Sequence, residues 1–216
     1  MRSESQASGQ SRPSFIEQAR RAQIIDCAID AIAELGFAQA SLAQIAKRAG
    51  VSTGVILYYF AGKDDLISAV AAHVFATGEA FMRPLVEREE TPAAALEAFI
   101  RAGVAFISEK PAMPRAIMNI IRAGSDQGGG PRYDPGVNAA RRDGFQNILA
   151  WGQNVGAFRP FDVAVMAATI IEALDFIPQR LAQEPDLDLD AYAGELAELF
   201  ARATRADHIT AEVQVS

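Results

Sequence analysis

The stretch that decides the fold is residues 41–63, which read SLAQIAKRAGVSTGVILYYFAGK. Ser41 and the glutamine three positions later form a capping-box pattern at a helix start, and apolar residues follow at helical spacing. Gly50 can adopt the positive φ that ends a helix, and Ser52 can cap a second short helix over residues 53–60. Two helices joined by a three-residue turn that contains glycine predict a helix-turn-helix.

The second of these helices divides into two faces. Ile56 and Phe60 lie four positions apart and are expected to pack together on the core side. The outward face begins with small residues, which let a backbone approach a groove edge, and continues to tyrosines whose hydroxyls can reach phosphate oxygens. This outward set is Thr53, Gly54, Leu57 and Tyr58. Lys63 follows as a point charge for a phosphate. Taken singly these are ordinary surface side chains, but their order indicates a nucleic-acid contact.

Ala49, Gly50, Val51, Ser52, Gly54, Tyr58, Tyr59, Phe60, Lys63, an acidic pair and Leu66 follow one another in a specific pattern. This pattern resembles the DNA-binding domain of the tetracycline-repressor (TetR/AcrR) family. With a preceding helix from about Ser14 to Gly36, the resemblance covers roughly the first third of the chain. It implies DNA contacts at Ser41, Ser52, Thr53, Gly54, Tyr58, Tyr59 and Lys63.

Leu57 departs from the family pattern, because many members carry an aromatic residue there. A leucine cannot hydrogen-bond, so it either contacts a thymine methyl or faces inward. Within the family, the run STGVILYYFAGKDDL is similar to the subgroup that contains the choline-pathway (betaine) repressor. That run is too short to name choline as an effector.

Composition favours a globular protein that lies in the cytoplasm. The chain has 216 residues, half of them apolar, enough to bury a core in one or two domains. The most apolar region, residues 93–107, is interrupted by Glu97 and Arg101, and the amino-terminal residues have no apolar signal region. A single cysteine, Cys27, cannot form an internal bridge, which is consistent with a reducing compartment.

Charge is distributed unevenly along the chain. The formal net charge of −7 is unexpected for a protein that contacts phosphates. However, residues 1–63 hold seven Lys and Arg against five Asp and Glu, whereas residues 64–216 hold thirteen against twenty-two. The basic share therefore lies with the predicted DNA-binding part, and the acidic remainder would be repelled by a duplex.

We predict an all-α fold, because the rest of the chain shows helical spacing interrupted by Pro and Gly. A long helix that begins at Lys63 joins the helix-turn-helix to a larger helical part. The expected organisation is a flexible arm, a helix-turn-helix domain, a ligand-binding and dimerisation domain, and a tail, at residues 1–13, 14–63, 64–206 and 207–216. The arm either reaches phosphates or a minor groove, or has no role.

The last two predicted helices, at about 163–183 and 188–204, carry apolar residues at helical spacing. The family resemblance implies that they pair with their copies in a homodimer. A twofold dimer suits a palindromic duplex, because two reading helices about 34 Å apart meet successive major-groove faces. The alternative is a helix pair within one chain.

Aromatic and methionine residues are frequent in the middle helices and could line an apolar cavity. Each alone is more often core, but the resemblance favours a pocket for a mostly apolar molecule. The residues selected for its lining are Phe106, Met118, Trp151 and Phe176. Polar candidates to orient a ligand, which can equally be surface residues, are Asn119, Arg122, Asn147 and Gln153.

These observations predict a ligand-responsive regulator, by family habit a repressor released from a palindromic operator by an apolar small molecule. One alternative is a small-molecule-binding helical protein without DNA binding. Another is an all-helical enzyme, which is poorly supported because no nucleophile motif, carboxylate pair with a histidine or metal-ligand spacing occurs. His73 has no second ligand at i+4, so neither a metal nor a cofactor is expected.

Overall fold

The computed structural model describes residues 14–125, 133 and 135–206. Within these ranges the regular structure is helical apart from one isolated antiparallel bridge between Phe158 and Arg205, which confirms the predicted all-α class. The predicted arm and the predicted tail lie outside the described residues. No helix in the described ranges combines the length and apolar character needed to cross a bilayer.

The α-helices of the described chain are α1 Phe15–Leu35, α2 Leu42–Ala49, α3 Thr53–Tyr59, α4 Lys63–Val86, α5 Pro92–Glu109, α6 Ala112–Ser125, α7 Ala139–Asn154, α8 Val163–Asp175, α9 Ile177–Gln183 and α10 Leu189–Thr204. A short 3-10 helix, Pro135–Asn138, precedes α7.

The prediction of one continuous helix over residues 163–183 is wrong. The structure ends α8 at Asp175 and begins α9 at Ile177, with Phe176 between them. Pro178 explains the break, because it has no N–H to donate to the carbonyl four residues earlier and its ring crowds that carbonyl. In the structure Pro178 instead lies in the first turn of α9, where a missing N–H is tolerated.

Short polar side chains fix the helix starts. Ser14 and Glu17 form a capping box: the amide of Ser14 donates to Glu17 Oε2 at 2.7 Å, and the amide of Glu17 donates to Ser14 Oγ at 3.2 Å. Thr91, Asp162 and Asp188 cap α5, α8 and α10, each by accepting a hydrogen bond from the backbone amide three residues later. Each cap of this kind stabilises a helix by about 1 kcal/mol.

Two clusters of buried side chains hold the helices together. The first, called the amino-terminal core, contains residues of α1 to α4 and three residues of α6, among them Ile24, Ala28, Ile32, Ile45, Ile56, Phe60, Leu66, Val70, Val74, Ala116, Ile117 and Ile120. The core that holds the helix-turn-helix therefore also includes α6, which packs against α1 and α4.

The second cluster, called the body core, is built by α5, α7, α8 and α10 with contributions from α4 and α9. It contains Met82, Leu96, Phe99, Ile100, Phe145, Leu149, Ile170, Leu174, Ile177, Leu196 and Phe200, among others. Phe99 and Phe145 stack with ring centroids 3.9 Å apart. Because α4 contributes Val70 and Val74 to the amino-terminal core and Met82 to the body core, this helix joins both clusters.

Candidate nucleic-acid interface and cavity

The turn between α2 and α3 has the predicted geometry. Ser41 caps α2 by accepting a hydrogen bond from the amide of Gln44 at 3.2 Å. Gly50 ends the helix with φ 67° and ψ 32°, a left-handed conformation that glycine adopts without strain. Ser52 then caps α3 by accepting from the amide of Val55 at 3.3 Å. The described chain therefore contains a helix-turn-helix.

The two faces of α3 differ strongly in their exposure to solvent. Ile56 and Phe60 are 0% and 1% exposed and belong to the amino-terminal core, as their spacing predicts. Leu57 and Tyr58 are 51% and 73% exposed. Of the two alternatives for Leu57, the structure therefore excludes the inward one. A short helix that presents large apolar and phenolic groups to solvent has a surface available for a partner.

The small residues at the start of α3 leave room on this face. Gly54 is exposed, and a Cβ added there would meet nothing closer than Ser52 Oγ, at 3.6 Å. The fold itself therefore does not require glycine at this position. Thr53, beside it, is half-buried.

Hydroxyl groups on this surface keep a hydrogen to donate. Ser41 and Ser52 are exposed, and each accepts a backbone hydrogen bond through its oxygen, which leaves the hydroxyl hydrogen for another acceptor. Tyr59 is half-buried, and its ring meets the ring of Tyr58 edge-on with centroids 5.0 Å apart. Such donors suit phosphate oxygens.

Lys63 is held by the protein more firmly than a surface cation. Its Nζ donates to the carbonyl of Phe37 at 2.8 Å and lies 4.3 Å from the centroid of the Phe37 ring. The side chain is therefore fixed between the end of α1 and the start of α4. A phosphate contact by Lys63 stays a prediction.

Lys47 is a cation that the sequence reasoning did not select. It is exposed in the last turn of α2, and among the described residues it makes no ion pair. Its neighbour Arg48 is engaged by Glu34, to which Nη1 donates at 3.0 Å, and this hydrogen bond lowers the pKa of the Glu34 carboxyl. The adjacent basic pair in a helix-turn-helix was the signal that could have identified Lys47.

A cavity of about 170 Å³ lies where α4, α5, α6 and α8 meet. Its apolar wall includes Val74, Phe75, Gly78, Met82, Gly103, Phe106, Ile107, Pro114, Ile117, Met118, Ile121, Leu174 and Pro178. The polar side chains on its wall are Tyr133, Asn138, Arg141 and Asp175. Such a cavity, apolar with a few polar groups at one part of the wall, is typical of small-molecule sites.

Two of the four residues selected for this lining are at the cavity, and two are not. Phe106 and Met118 lie on its wall. Trp151 and Phe176 are 36% and 45% exposed and line none of it. The prediction that these two residues line the cavity is therefore corrected. Both are partly exposed to solvent, and Phe176 lies in the break between α8 and α9.

The polar residues selected to orient a ligand are used elsewhere. Asn119 donates to the carbonyl of Ile32 at 2.8 Å, and Arg122 donates to Gln179 Oε1 at 2.6 Å. Gln153 donates to the carbonyls of Arg159 and Phe161 near the start of α8. Asn147 is exposed. The polar part of the cavity comes instead from residues around the start of α7 and from Asp175 at the end of α8.

Among the described residues, no group of three or more His, Cys, Asp or Glu is placed to hold a metal ion. Burial raises the pKa of the Cys27 thiol, which keeps it protonated near neutral pH and makes it a poor nucleophile. His73 Nε2 lies 3.5 Å from Asp26 Oδ1, a contact between α4 and α1.

Residues 24–70 match the family model described as bacterial regulatory proteins, tetR family. A relative named HTH-type transcriptional regulator BetI 1, from Chromohalobacter salexigens, is 42% identical over 82 residues. This match covers 38% of the present chain and 41% of that relative's length. The family-model match therefore lies in the amino-terminal part of the chain.

Solved structures resemble almost the whole fold at low sequence identity. The fatty acid degradation regulator FadR from Bacillus halodurans has a TM-score of 0.73 at 20% identity, over 84% of this chain and 94% of that one. FadR from Bacillus subtilis, solved in complex with stearoyl-CoA, has a TM-score of 0.71 at 21% identity, over 83% and 97% of the two chains. These likenesses establish the architecture of the helical body as well as that of the helix-turn-helix.

Proposed function

We propose that this chain, whose residues 24–70 match the model of the tetR family of bacterial regulatory proteins, binds operator DNA and regulates transcription. By this proposal it is a repressor that a small apolar molecule releases from a palindromic operator. DNA as the partner places the protein in the cytoplasm.

The observation that carries the proposal is the division of α3 into a buried and an exposed face. Ile56 and Phe60 fix the helix in the amino-terminal core, while Leu57 and Tyr58 are left in solvent with nothing to cover them in the described chain. A major groove accepts a helix of this kind, with hydroxyls at phosphates and an apolar side chain at a thymine methyl.

The proposed contacts follow from this placement. Ser41, Ser52, Tyr58, Tyr59 and Lys63 donate hydrogen bonds or charge to phosphates. Thr53 and Gly54 allow the backbone to come close, and Leu57 meets an apolar base edge. Lys47 adds a cation that nothing in the described chain neutralises.

Release by a ligand is supported by the walls of the cavity. Val74 of α4 and Ile117 of α6 both line the cavity and belong to the amino-terminal core. A ligand that prefers one arrangement of α4 and α6 thereby prefers one placement of the helix-turn-helix. Operator affinity then falls by the ratio of the ligand's affinities for the two arrangements.

A homodimer through α8 and α10 completes the proposal. Val165 on α8 and Leu199 on α10 are 64% and 60% exposed, although both helices pack their other faces into the body core. Exposed apolar residues on helices whose other faces are buried are typical of a protein interface. A twofold axis there would set two copies of α3 about 34 Å apart for two half-sites.

A mobility-shift titration with the DNA upstream of the protein's own gene tests the proposal. The expected result is a retarded complex on that fragment, weakened by added salt because Lys and Arg displace counterions from phosphates. A shuffled fragment of the same base composition should bind far more weakly. Equal binding of the two fragments, or none, would refute the proposed function.

A further inference from the structure

The charged groups at the cavity neutralise each other. Arg141 Nη1 lies 2.6 Å from Asp175 Oδ1, and the Arg141 side chain is only 15% exposed. These two are the only charged residues among the described residues of the cavity wall. Asp175 is 41% exposed, so the pair is partly buried. A charged ligand would be opposed by one member of the pair or would have to separate it, which costs part of their mutual attraction.

Tyr133 adds a neutral polar group to the same part of the wall. Its ring lies 5.8 Å from the ring of Phe75, and burial raises the pKa of its hydroxyl, with the Asp175 carboxylate adding to the effect. The phenol therefore stays protonated at neutral pH. The cavity as described thus presents no net charge to a ligand.

The side-chain oxygen of Asn138 is a hydrogen-bond acceptor that has no donor among the described residues. It holds the N-cap position of α7, where an asparagine oxygen ordinarily accepts a backbone hydrogen bond, but its side chain makes no such bond. Its Oδ1 is buried and has no hydrogen-bond partner among the described residues. Asn138 also lies on the cavity wall. Buried polar atoms are nearly always hydrogen-bonded, so a lone acceptor beside a cavity is suited to a donor group of a ligand.

The rest of the wall limits the ligand's size and polarity. The cavity of about 170 Å³ is bounded mainly by aliphatic, aromatic and methionine side chains, such as Phe106 and Met118. An apolar cavity of roughly 150 Å³ in another protein holds benzene. A molecule of the order of a substituted benzene therefore fits this cavity.

We propose that this cavity takes a small, uncharged, mostly apolar molecule whose polar group donates a hydrogen bond to Oδ1 of Asn138. This inference names the effector class for the regulator proposed above and rests on that proposal for its biological meaning. Phenols and alcohols have this chemistry. Carboxylates and ammonium ions do not fit because they are charged, and ethers do not fit because they have no hydrogen to donate.

Calorimetric titration of the full-length protein without DNA tests the proposal with four probes of similar size. They are 4-ethylphenol, its isomer 4-methylanisole, 4-methylbenzoate and 4-methylbenzylammonium. The phenol is expected to bind about tenfold more tightly than the ether, because the ether leaves the buried acceptor unpaired. Both ions should bind more weakly than the phenol. No binding of the phenol, equal binding of the two isomers, or tighter binding of either ion would overturn the proposal.

Asn138→Leu locates the hydrogen bond. It should reduce the preference for 4-ethylphenol over 4-methylanisole to about twofold or less while the ether binds as before or more tightly. Asn147→Leu, at an exposed asparagine of the same helix, is the control and should keep the wild-type preference. A preference that survives Asn138→Leu would contradict the assignment. The probe series on the unaltered protein decides the ligand class even if this variant folds poorly.

The two proposals can fail separately. The titration contains no DNA, so rejection of the phenol would leave operator binding untouched. Conversely, a protein that binds the phenol through Asn138 but shows no selective mobility shift would be a small-molecule-binding protein and not a regulator.

Discussion

Asn119 on α6 donates a hydrogen bond from Nδ2 to the backbone carbonyl of Ile32, at 2.8 Å, near the end of α1. This bond spans the boundary between the helix that lines the cavity and the helix that supports the helix-turn-helix. Asn119→Leu should lower the free energy of unfolding by about 1 kcal/mol, because the carbonyl loses a partner in a partly buried place.

Urea denaturation measures this change, with Asn147→Leu as the control at an exposed site. The control should stay within about 0.5 kcal/mol of the wild type. Equal midpoints for all three proteins would show that the bond contributes nothing to the junction of α6 with α1.

Gly54→Ala distinguishes an effect on protein stability from an effect on DNA affinity. A Cβ there has space, and alanine is the better helix former, so the free energy of unfolding should be unchanged or rise by up to about 1 kcal/mol. Affinity for the upstream fragment should nevertheless fall, since the added methyl lies on the proposed contact face. Unfolding curves and DNA titrations of the same preparation check both parts.

Gly50→Ala is the contrasting variant. Gly50 has φ 67°, which alanine adopts only with strain, so this variant should lose stability. If Gly54→Ala bound DNA with wild-type affinity, Gly54 would not be part of the contact face.

Gly152 allows the close approach of α7 to Phe158. A Cβ at Gly152 would overlap the ring of Phe158, a side chain that is only 5% exposed. Gly152→Ala should therefore lower the free energy of unfolding by about 1–3 kcal/mol or more. Gly194→Ala is a matched control on α10, because the nearest atoms to its Cβ are nitrogens of Arg101 at 3.9 Å and 4.0 Å. In thermal unfolding, Gly152→Ala should have a lower Tm than the wild type. Gly194→Ala should have a Tm equal to or higher than that of the wild type.

Val165→Glu and Leu199→Glu test the proposed dimer. Each puts a carboxylate on an exposed apolar position that the twofold contact would bury, and burying an unpaired charge is costly. Sedimentation should show a dimer for the wild type and a monomer for the variants, with weaker operator binding. Val155→Glu, at a similarly exposed valine on the segment after α7, should remain dimeric. A wild-type monomer at the concentrations used for DNA binding would contradict the dimer.

Local sequence signals predicted most of the helix-turn-helix, because its determinants are short-range. Ser41, Gly50 and Ser52 act within a few residues of themselves, and the spacing of Ile56 and Phe60 identified the core side of α3. The break near Phe176 was missed although Pro178 was visible, since the apolar spacing continues across it.

The cavity was harder to predict, because it is formed by helices that are distant in sequence. Phe106 and Met118 face it, whereas Trp151 and Phe176 have the same chemistry and face solvent. The Arg141–Asp175 pair and the unpaired oxygen of Asn138 depend on how α7 and α8 meet. No pattern within one helix contains that information.

The most direct test of the central claim, that the exposed face of α3 binds DNA, is the affinity of Tyr58→Ala for the upstream fragment, measured by fluorescence anisotropy. Tyr58 is 73% exposed, so its loss should change the free energy of unfolding by no more than about 0.5 kcal/mol. The account predicts that affinity falls about tenfold or more, as expected when about 1.4 kcal/mol of contact is lost. Tyr192→Ala on α10 should bind DNA as the wild type does. A stable Tyr58→Ala protein with wild-type affinity would contradict the account.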